Sequence, residues 1–230
     1  MVWIAIVACV AAAITILCWT HFSKARRDAN AVAAAQDEVY EAVVGYITTA
    51  VDGRKGSIRR LVFDQTVIAG FGVQSGPIPE TCKEDTYRVL RANDLTPPFI
   101  YRFIYHLFGG TDDGSLQSDT IEDFAEKACT SGPLSQTFHT VLPRSFISAD
   151  SVYFEGWSGR DKTGKPFERL FPGACGIISF SHVGFDSSLH EAIVSTSFVC
   201  GGLCGSGRYY VLKKRSGRWR VVSGSMVWVS

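Results

Sequence analysis

"EAIVSTSFVCGGLCGSGRYYVLKKRSGRWRVVSGSMVWVS", Glu191 to Ser230, is the stretch whose reading decides the fold. It holds three β-type runs, broken at "CGGLCGSG" and "RSG". Connections that short join only antiparallel neighbours. A fourth run, "GIISFSHVGF" from Gly176 to Phe185, precedes them across "DSSLH". The C-terminal part, residues 175–230, is therefore expected to be a four-strand meander. Alternation puts Tyr209 and Val211 on one face and Tyr210 and Leu212 on the other. Trp219, Val221, Val227 and Val229 share a parity, which is expected to be the core-facing side.

Pairing register locates the cysteines of this region. With "DSSL" closing the first hairpin, residues whose numbers sum to about 374 face each other. Cys175 then lies within one or two places of Cys200. With "GGL" closing the second, Cys200 and Cys204 are opposite each other. All three gather at one end of the sheet, where two of them are expected to form a structural disulfide. The glycines between them supply turn conformations and do not form a phosphate cradle, since no Lys-Ser/Thr follows and no helix opens there. C-x-x-x-C in a hairpin also lacks the helix start of a redox C-x-x-C site. A zinc site at Cys175, Cys200 and Cys204 has suitable spacing. His182 and His190 lie at the distant end of the strand, so Cys82 or Cys129 would have to complete it.

Towards the N-terminus, "MVWIAIVACVAAAITILCW" carries no charged side chain from Met1 to Trp19. As a helix it spans about 29 Å, against about 30 Å of bilayer hydrocarbon. Residues 1–21 are expected to be an uncleaved single-pass membrane helix; a cleaved signal would have basic residues before a shorter apolar core. Lys24, Arg26 and Arg27 follow the span, which by the positive-inside rule places the domain in the cytoplasm. Five cysteines outside the span (82, 129, 175, 200 and 204) favour an oxidising, extracytoplasmic side.

Residues 22–52 continue as an amphipathic helix. Phe22, Ala25, Ala29, Val32, Gln36, Val39, Val43, Tyr46 and Ala50 alternate three and four apart, keeping one stripe on one side. It reads as a stalk that becomes the first core helix, or as a weak self-associating seam over residues 22–50. Residues 53–230 then form one α+β domain, with helices packed on an antiparallel sheet that ends in the meander. Arg59–Val73 reads as a strand or hairpin pair. "ETCKEDTYRVLRAND" and "SDTIEDFAEKAC" read as helices, the second capped by Ser118 or Asp119. If these two helices are antiparallel neighbours, Cys82 meets Cys129.

Charged residues make up 20% of the chain and the net charge is +1, a balance with no nucleic-acid footprint. No H-E-x-x-H or H-x-H pattern groups the histidines, and no cofactor motif is present. Ser206 sits in "CGSGR" between two strands, where a nucleophile elbow requires a strand-to-helix turn. Ser206, His182 and Asp64 remain the residues of an alternative hydrolase reading. The aromatic run Phe99, Tyr101, Phe103, Tyr105 and Phe108 is either core packing or a ligand surface.

"FPGACGIISFSHVGFD" followed by "EAIVSTSFVCGGLCGSGRYYVLKKRSGRWRVV" resembles a scattered group of bacterial proteins of uncharacterised function. Their ends read P-x-x-x-G-I-I-x-x-S-x-V-G-F, then G-x-L-x-G-x-G-x-Y, then K-x-x-G-x-W-x-V. The resemblance implies an exported or lipid-anchored protein and carries no functional residue across. The expectation is thus a membrane-anchored envelope protein with a non-catalytic binding or accessory domain. The alternatives are the hydrolase above and a thiol- or metal-sensing domain at Cys175, Cys200 and Cys204.

Overall fold

The computed structural model describes residues 28–49, 58–68, 81–92, 116–155 and 158–230. The expected membrane helix (1–21) and the aromatic run (99–108) lie outside the described residues. Among the described residues no helix is long and apolar enough to cross a membrane. Two compact units divide the chain, residues 1–36 and Asp37–Ser230.

A helix over 28–49 (α1) carries the expected amphipathic pattern into the second unit. There Val39, Tyr40, Val43 and Val44 are buried. This stripe is wider than the expected seam, because Tyr40 and Val44 join it, and from Val39 to Val44 it is consumed inside the domain. That part is a core helix and not an intermolecular coil. Tyr46, by contrast, is half exposed.

The sheet runs through β1 (Leu61–Asp64), β4 (Arg144–Ile147), β7 (Ile177–Phe180), β8 (Gly184–Phe185), β9 (Glu191–Gly201), β10 (Cys204–Arg215) and β11 (Arg218–Val229). Its order is β11-β10-β9-β7-β1-β4, with β8 also on β9. The meander is present as expected, and Ile177 faces Val199, a sum of 376, two from the expected register. The other half departs from expectation. β1 is not half of a hairpin: it lies between β4 and β7 and is parallel to both. The short β2 (Thr66–Val67) turns away to pair with β3 (Gly132–Pro133). The sheet is therefore mixed. All four residues of β1 are buried, as befits a strand covered on both faces.

Each face has its own cover. Even-numbered residues of β9 and β10 face α1: Tyr46 meets Tyr210 edge-on at 5.8 Å. Tyr40 packs on Phe180 at 4.6 Å and donates its hydroxyl to the Ser181 carbonyl at 3.0 Å. Burial, and secondarily Asp37, pushes the Tyr40 phenol well above its ordinary value, so it stays a donor. On the odd-numbered face, Ile193, Tyr209 and Val211 pack with Leu90 of α2 (Cys82–Ala92) and with Ile121 and Phe124 of α3 (Ser118–Lys127). Gly184 has no side chain because a Cβ there would run into the backbone of Phe124, with 2.6 Å left to its Cα. Lower on the same face, Val62 and Ile177 pack against Val152 and Phe167. These two come from the hairpin β5 (Val152–Glu155)–β6 (Ser158–Asp161) and the one-turn α4 (Phe167–Leu170).

The last strand corrects the expected parity. Register shifts opposite Val211/Leu212 and Gly207/Arg208 insert Val222 and Val227 as bulges, and each bulge moves the following residues to the other face. Trp219 is buried on the α1 side against Phe185. Val227 packs with the α2–α3 cluster, and Val229 is 71% exposed.

The start of α3 is held from outside. Its N-cap is Gln117, not Ser118 or Asp119, and it makes no side-chain cap. The buried Glu191 carboxylate accepts from Gln117 N at 2.6 Å and Thr120 Oγ1 at 2.8 Å. It also faces Lys213 Nζ at 3.6 Å. A strand residue thus supplies the acceptor that the helix's own sequence does not. Asp186 organises the preceding turn, taking the N–H groups of His190 at 2.7 Å and Glu191 at 2.6 Å. Burial acts to raise the Asp186 carboxyl, but the Ser188 hydroxyl and three backbone donors outweigh it and hold it below its ordinary value.

Two outcomes follow. Glu191→Ala leaves the Gln117 N–H and the Thr120 hydroxyl without their acceptor and costs about 3 kcal/mol in chemical denaturation, against about 1 kcal/mol for Glu191→Gln. Asp186 has a depressed folded-state pKa, so its contribution is complete above the unfolded carboxyl value near 4 and is lost as pH falls through the folded value. Asp186→Asn therefore flattens the acid limb of the stability–pH curve below about pH 4 and leaves its shape near neutrality unchanged.

Candidate functional site

The cysteines fall as their spacing indicated. Cys82, opening α2, is bridged to Cys129, just past α3, with Cα atoms 5.8 Å apart. Cys200 is bridged to Cys204 across the β9–β10 turn, Cα atoms 5.1 Å apart. Cys175 keeps an exposed free thiol. Gly176 lies so close to β9 that a Cβ on it would come 3.0 Å from Cys200 Cα, which places Cys175 at the same rim. Because both pairs are bridged, Cys175 is the one free thiol among the described residues. Among the described residues no three His, Cys, Asp or Glu side chains are grouped as for a metal ion.

The three residues of the hydrolase reading do not meet. Ser206 pairs with Phe198 and Val229 and so points to the α1 side. Asp64 shares the parity of Val62, which packs on the opposite face. Three strand spacings, about 14 Å, separate β10 from β1. His182 follows β7, with its imidazole over Gly132: Nε2 lies 3.6 Å from the position of a Cβ there. Burial, then the Lys127 charge, lowers the His182 pKa. It behaves as a neutral packed histidine.

A second serine–histidine–aspartate set, not foreseen from the sequence, lies in the β8–β9 turn. Ser188 Oγ donates to Asp186 Oδ2, and His190 Nδ1 is 3.1 Å from the same Oγ. Here serine is the middle member, with its proton committed to the carboxylate. A relay needs histidine in that place. The set builds a turn.

What the sequence reading missed is polar and buried. On the odd face, Ser179 pairs with Ser197 across β7 and β9, and Ser195 is the next inward residue of β9. Ser179 is 6%, Ser195 2% and Ser197 0% exposed. Continuing the register of Val62 with Ile177 sets Asp64, 5% exposed, beside Ser179. Asp64 Oδ1 accepts from Thr66 N at 3.1 Å. Beyond Ser197 the row reaches Gly207, over which the Trp228 indole lies: a Cβ on Gly207 would overlap that ring. From above, α2 contributes Thr86, one turn before Leu90, which packs on this face.

Three hydroxyls of this layer are buried without a partner: Ser195 Oγ, Ser197 Oγ and Thr86 Oγ1. Each such group costs about 1–3 kcal/mol relative to a satisfied one, and alanine would avoid that cost. The sequence signal was "IVSTSF", with serines at the inward positions of an otherwise apolar strand. Elsewhere, an open depression of about 440 Å³ beside the β5–β6 hairpin includes Asp150, Asp161 and Phe171. The Asp161 carboxylate is already engaged by Thr163 and by Lys165 N within its own turn.

Compared with protein-family models, curated proteins and solved structures, the chain finds no match.

The bridges have different weights. Loop closure assigns about 4 kcal/mol to the Cys82–Cys129 link and about 2 kcal/mol to Cys200–Cys204. Cys82→Ser is expected to lower the unfolding midpoint more than Cys200→Ser. Peptide mapping without reduction should recover Cys82 linked to Cys129, Cys200 linked to Cys204, and Cys175 alkylated. A Cys175–Cys200 peptide would contradict the arrangement.

Proposed function

We propose that this chain is a membrane-tethered envelope protein whose disulfide-stapled α+β domain lies outside the cytoplasm and binds a partner or small ligand without turning it over. One observation carries the reading: four of the five cysteines beyond the apolar N-terminal segment form two bridges, one locking two helices and one closing a strand turn. Such bridges persist in oxidising compartments. The charge-free segment Met1–Trp19 supplies the tether, and the resemblance of residues 171–222 to exported bacterial proteins agrees with it. Against the bridges stand the basic residues after the span, which alone would retain the domain inside.

A binding role is supported by how the polar residues are spent. Asp186, Glu191, Asp119 and Asp123 accept hydrogen bonds from backbone or side chains that fix turns and helix ends. Ser206 and Asp64 occupy opposite faces. Among the described residues, buried polar atoms without a partner include Ser195 Oγ, Ser197 Oγ and Thr86 Oγ1, and also Arg60 Nε and Trp219 Nε1.

A reporter fused after Ser230 tests the side of the membrane. An alkaline phosphatase fusion, active only where disulfides form, should be active, and a fluorescent protein that matures in the cytoplasm should be dark. The reverse pattern, with all five cysteines open to alkylation in intact cells, would overturn the reading.

A further inference from the structure

We propose that the tip of the β10–β11 hairpin docks on an anionic lipid surface, engaging the phosphate groups of its headgroups. The proposal goes beyond the binding role above and rests only on the membrane tether. From Ala192 to Ser230 the chain holds six cations and no acid, so with +1 overall the first 191 residues carry −5. Four of the six cations gather at one place. Ser216 and Gly217 both have positive φ, 50° and 75°, as in the two-residue turns whose twist matches that of the strands they join. The turn sets Arg215 directly opposite Arg218, and Lys213 directly opposite Arg220. Residues two apart on a strand share a face, so all four side chains leave the hairpin on one side, within about 7 Å along it.

Such an arrangement is unfavourable on its own. Like charges directly across a strand pair destabilise it, whereas a Lys–Glu or Thr–Thr pair would strengthen it. The acids nearby are already engaged. Glu191, beside Lys213 in the register, lies 3.6 Å from its Nζ and also accepts from Gln117 N and Thr120 Oγ1. Asp186 is held by its own turn. Glu38 takes Lys214 at 2.8 Å on the opposite face, where the lysine also lies over Trp219. Among the described residues no acid pairs with Arg218 or Arg220. An external anion converts this repulsion into attraction.

The setting selects the anion. Arg215, Ser216, Gly217, Arg218 and Arg220 are all exposed, so a single free phosphate would meet these charges in water, screened by salt. An array of headgroup phosphates engages several of them at once, and guanidinium groups take phosphate oxygens in pairs. Each cation brought near an anionic lipid surface adds to the attraction. The only aromatic side chain from Lys213 to Arg220, Trp219, is 6% exposed, which leaves no platform for stacking nucleic-acid bases. Farther along the same outermost strand Val222 and Met226 are exposed, apolar groups that a headgroup layer accommodates. With −5 on the remainder of the chain, the same surface repels the rest and turns the hairpin toward itself.

The test uses full-length protein in micelles of a neutral detergent, with phosphatidylglycerol or phosphatidylcholine blended in, and follows thermal unfolding. At about 50 mM NaCl, phosphatidylglycerol should raise the unfolding midpoint by about 3 °C, and phosphatidylcholine should not. At about 500 mM NaCl the rise should be lost. Arg218→Gln/Arg220→Gln removes both like-charge pairs, so without lipid it should unfold no earlier than wild type. It should need about tenfold or more phosphatidylglycerol for the same shift. Should that variant fail to fold, Arg218→Gln alone is expected to weaken the response. Lys162→Gln/Arg169→Gln, which removes the same charge outside the hairpin, should respond as wild type does.

The absence of any phosphatidylglycerol shift would overturn the proposal. So would equal shifts in wild type and the Arg218/Arg220 variant, which would place the lipid at Lys24, Arg26 and Arg27 instead. An equal rise with inorganic phosphate, at a matched concentration of phosphate groups, would reject the lipid surface in favour of a free oxyanion. A response to short duplex DNA with none to phosphatidylglycerol would hand the patch to nucleic acid and reject it too. The reporter fusion reads the side of the membrane independently, so a failure there is distinguishable from a failure here.

Discussion

β9 is paired along both edges, to β10 from Glu191 to Gly201 and to β8 and β7 from Ala192 to Val199. Its register decides what each cover of the sheet receives. Even residues meet the α1 side and odd residues meet α2 and α3. A slip of one place would exchange the two sets, sending Ile193 toward Tyr40 and Val194 toward Phe124. Two acids fix the strand at its start. Asp186 grips the N–H groups of His190 and Glu191, and the Glu191 side chain reaches the first turn of α3. The helix layer and the strand are thereby positioned by the same few atoms.

That frame explains why polar groups can sit in the middle of the domain. Around the serine layer the packing is apolar and closed: Leu90, Leu116 and Phe124 above, Val62 and Ile177 to one side. The Cys82–Cys129 bridge pins the far ends of the two covering helices together. The covalent link thus ties α2 to the end of α3, and Glu191 fixes the start of α3. The cluster of Tyr40, Phe63, Phe138 and Phe180 performs the ordinary core role on the opposite face.

Much of this was legible in the chain. The meander announced itself because alternation and turn glycines are local signals; the expected register was two residues off. The pairing of Cys82 with Cys129 followed from two short helices being neighbours. What stayed hidden is non-local. The parallel insertion of β1 leaves no turn signal near Leu61–Asp64, since its partners Arg144–Ile147 and Ile177–Ile178 lie far along the chain. Val227 was misassigned because the bulges in β11 interrupt the alternation, whereas Val229 keeps the face of Trp219 and is exposed at the strand's end. Glu191 as an outside cap for α3, and the serines as an interior layer, depend on which elements stack. Strand polarity alone reads such residues as solvent-facing.

The placement of β1 has a consequence for how the molecule comes into being. Its neighbours β4 and β7 are made long after it, and Val62 meets Ile177 across more than a hundred intervening residues. Contacts of that span form slowly, because ring closure is costly before it is rewarded. The C-terminal hairpins need no such wait. The late-made end of the polypeptide can organise first and then receive the early-made strand, whose wholly apolar "LVF" must stay unpaired in the interval. Until its partners are made, that apolar triplet is an unpaired edge of the kind that mispairs most readily.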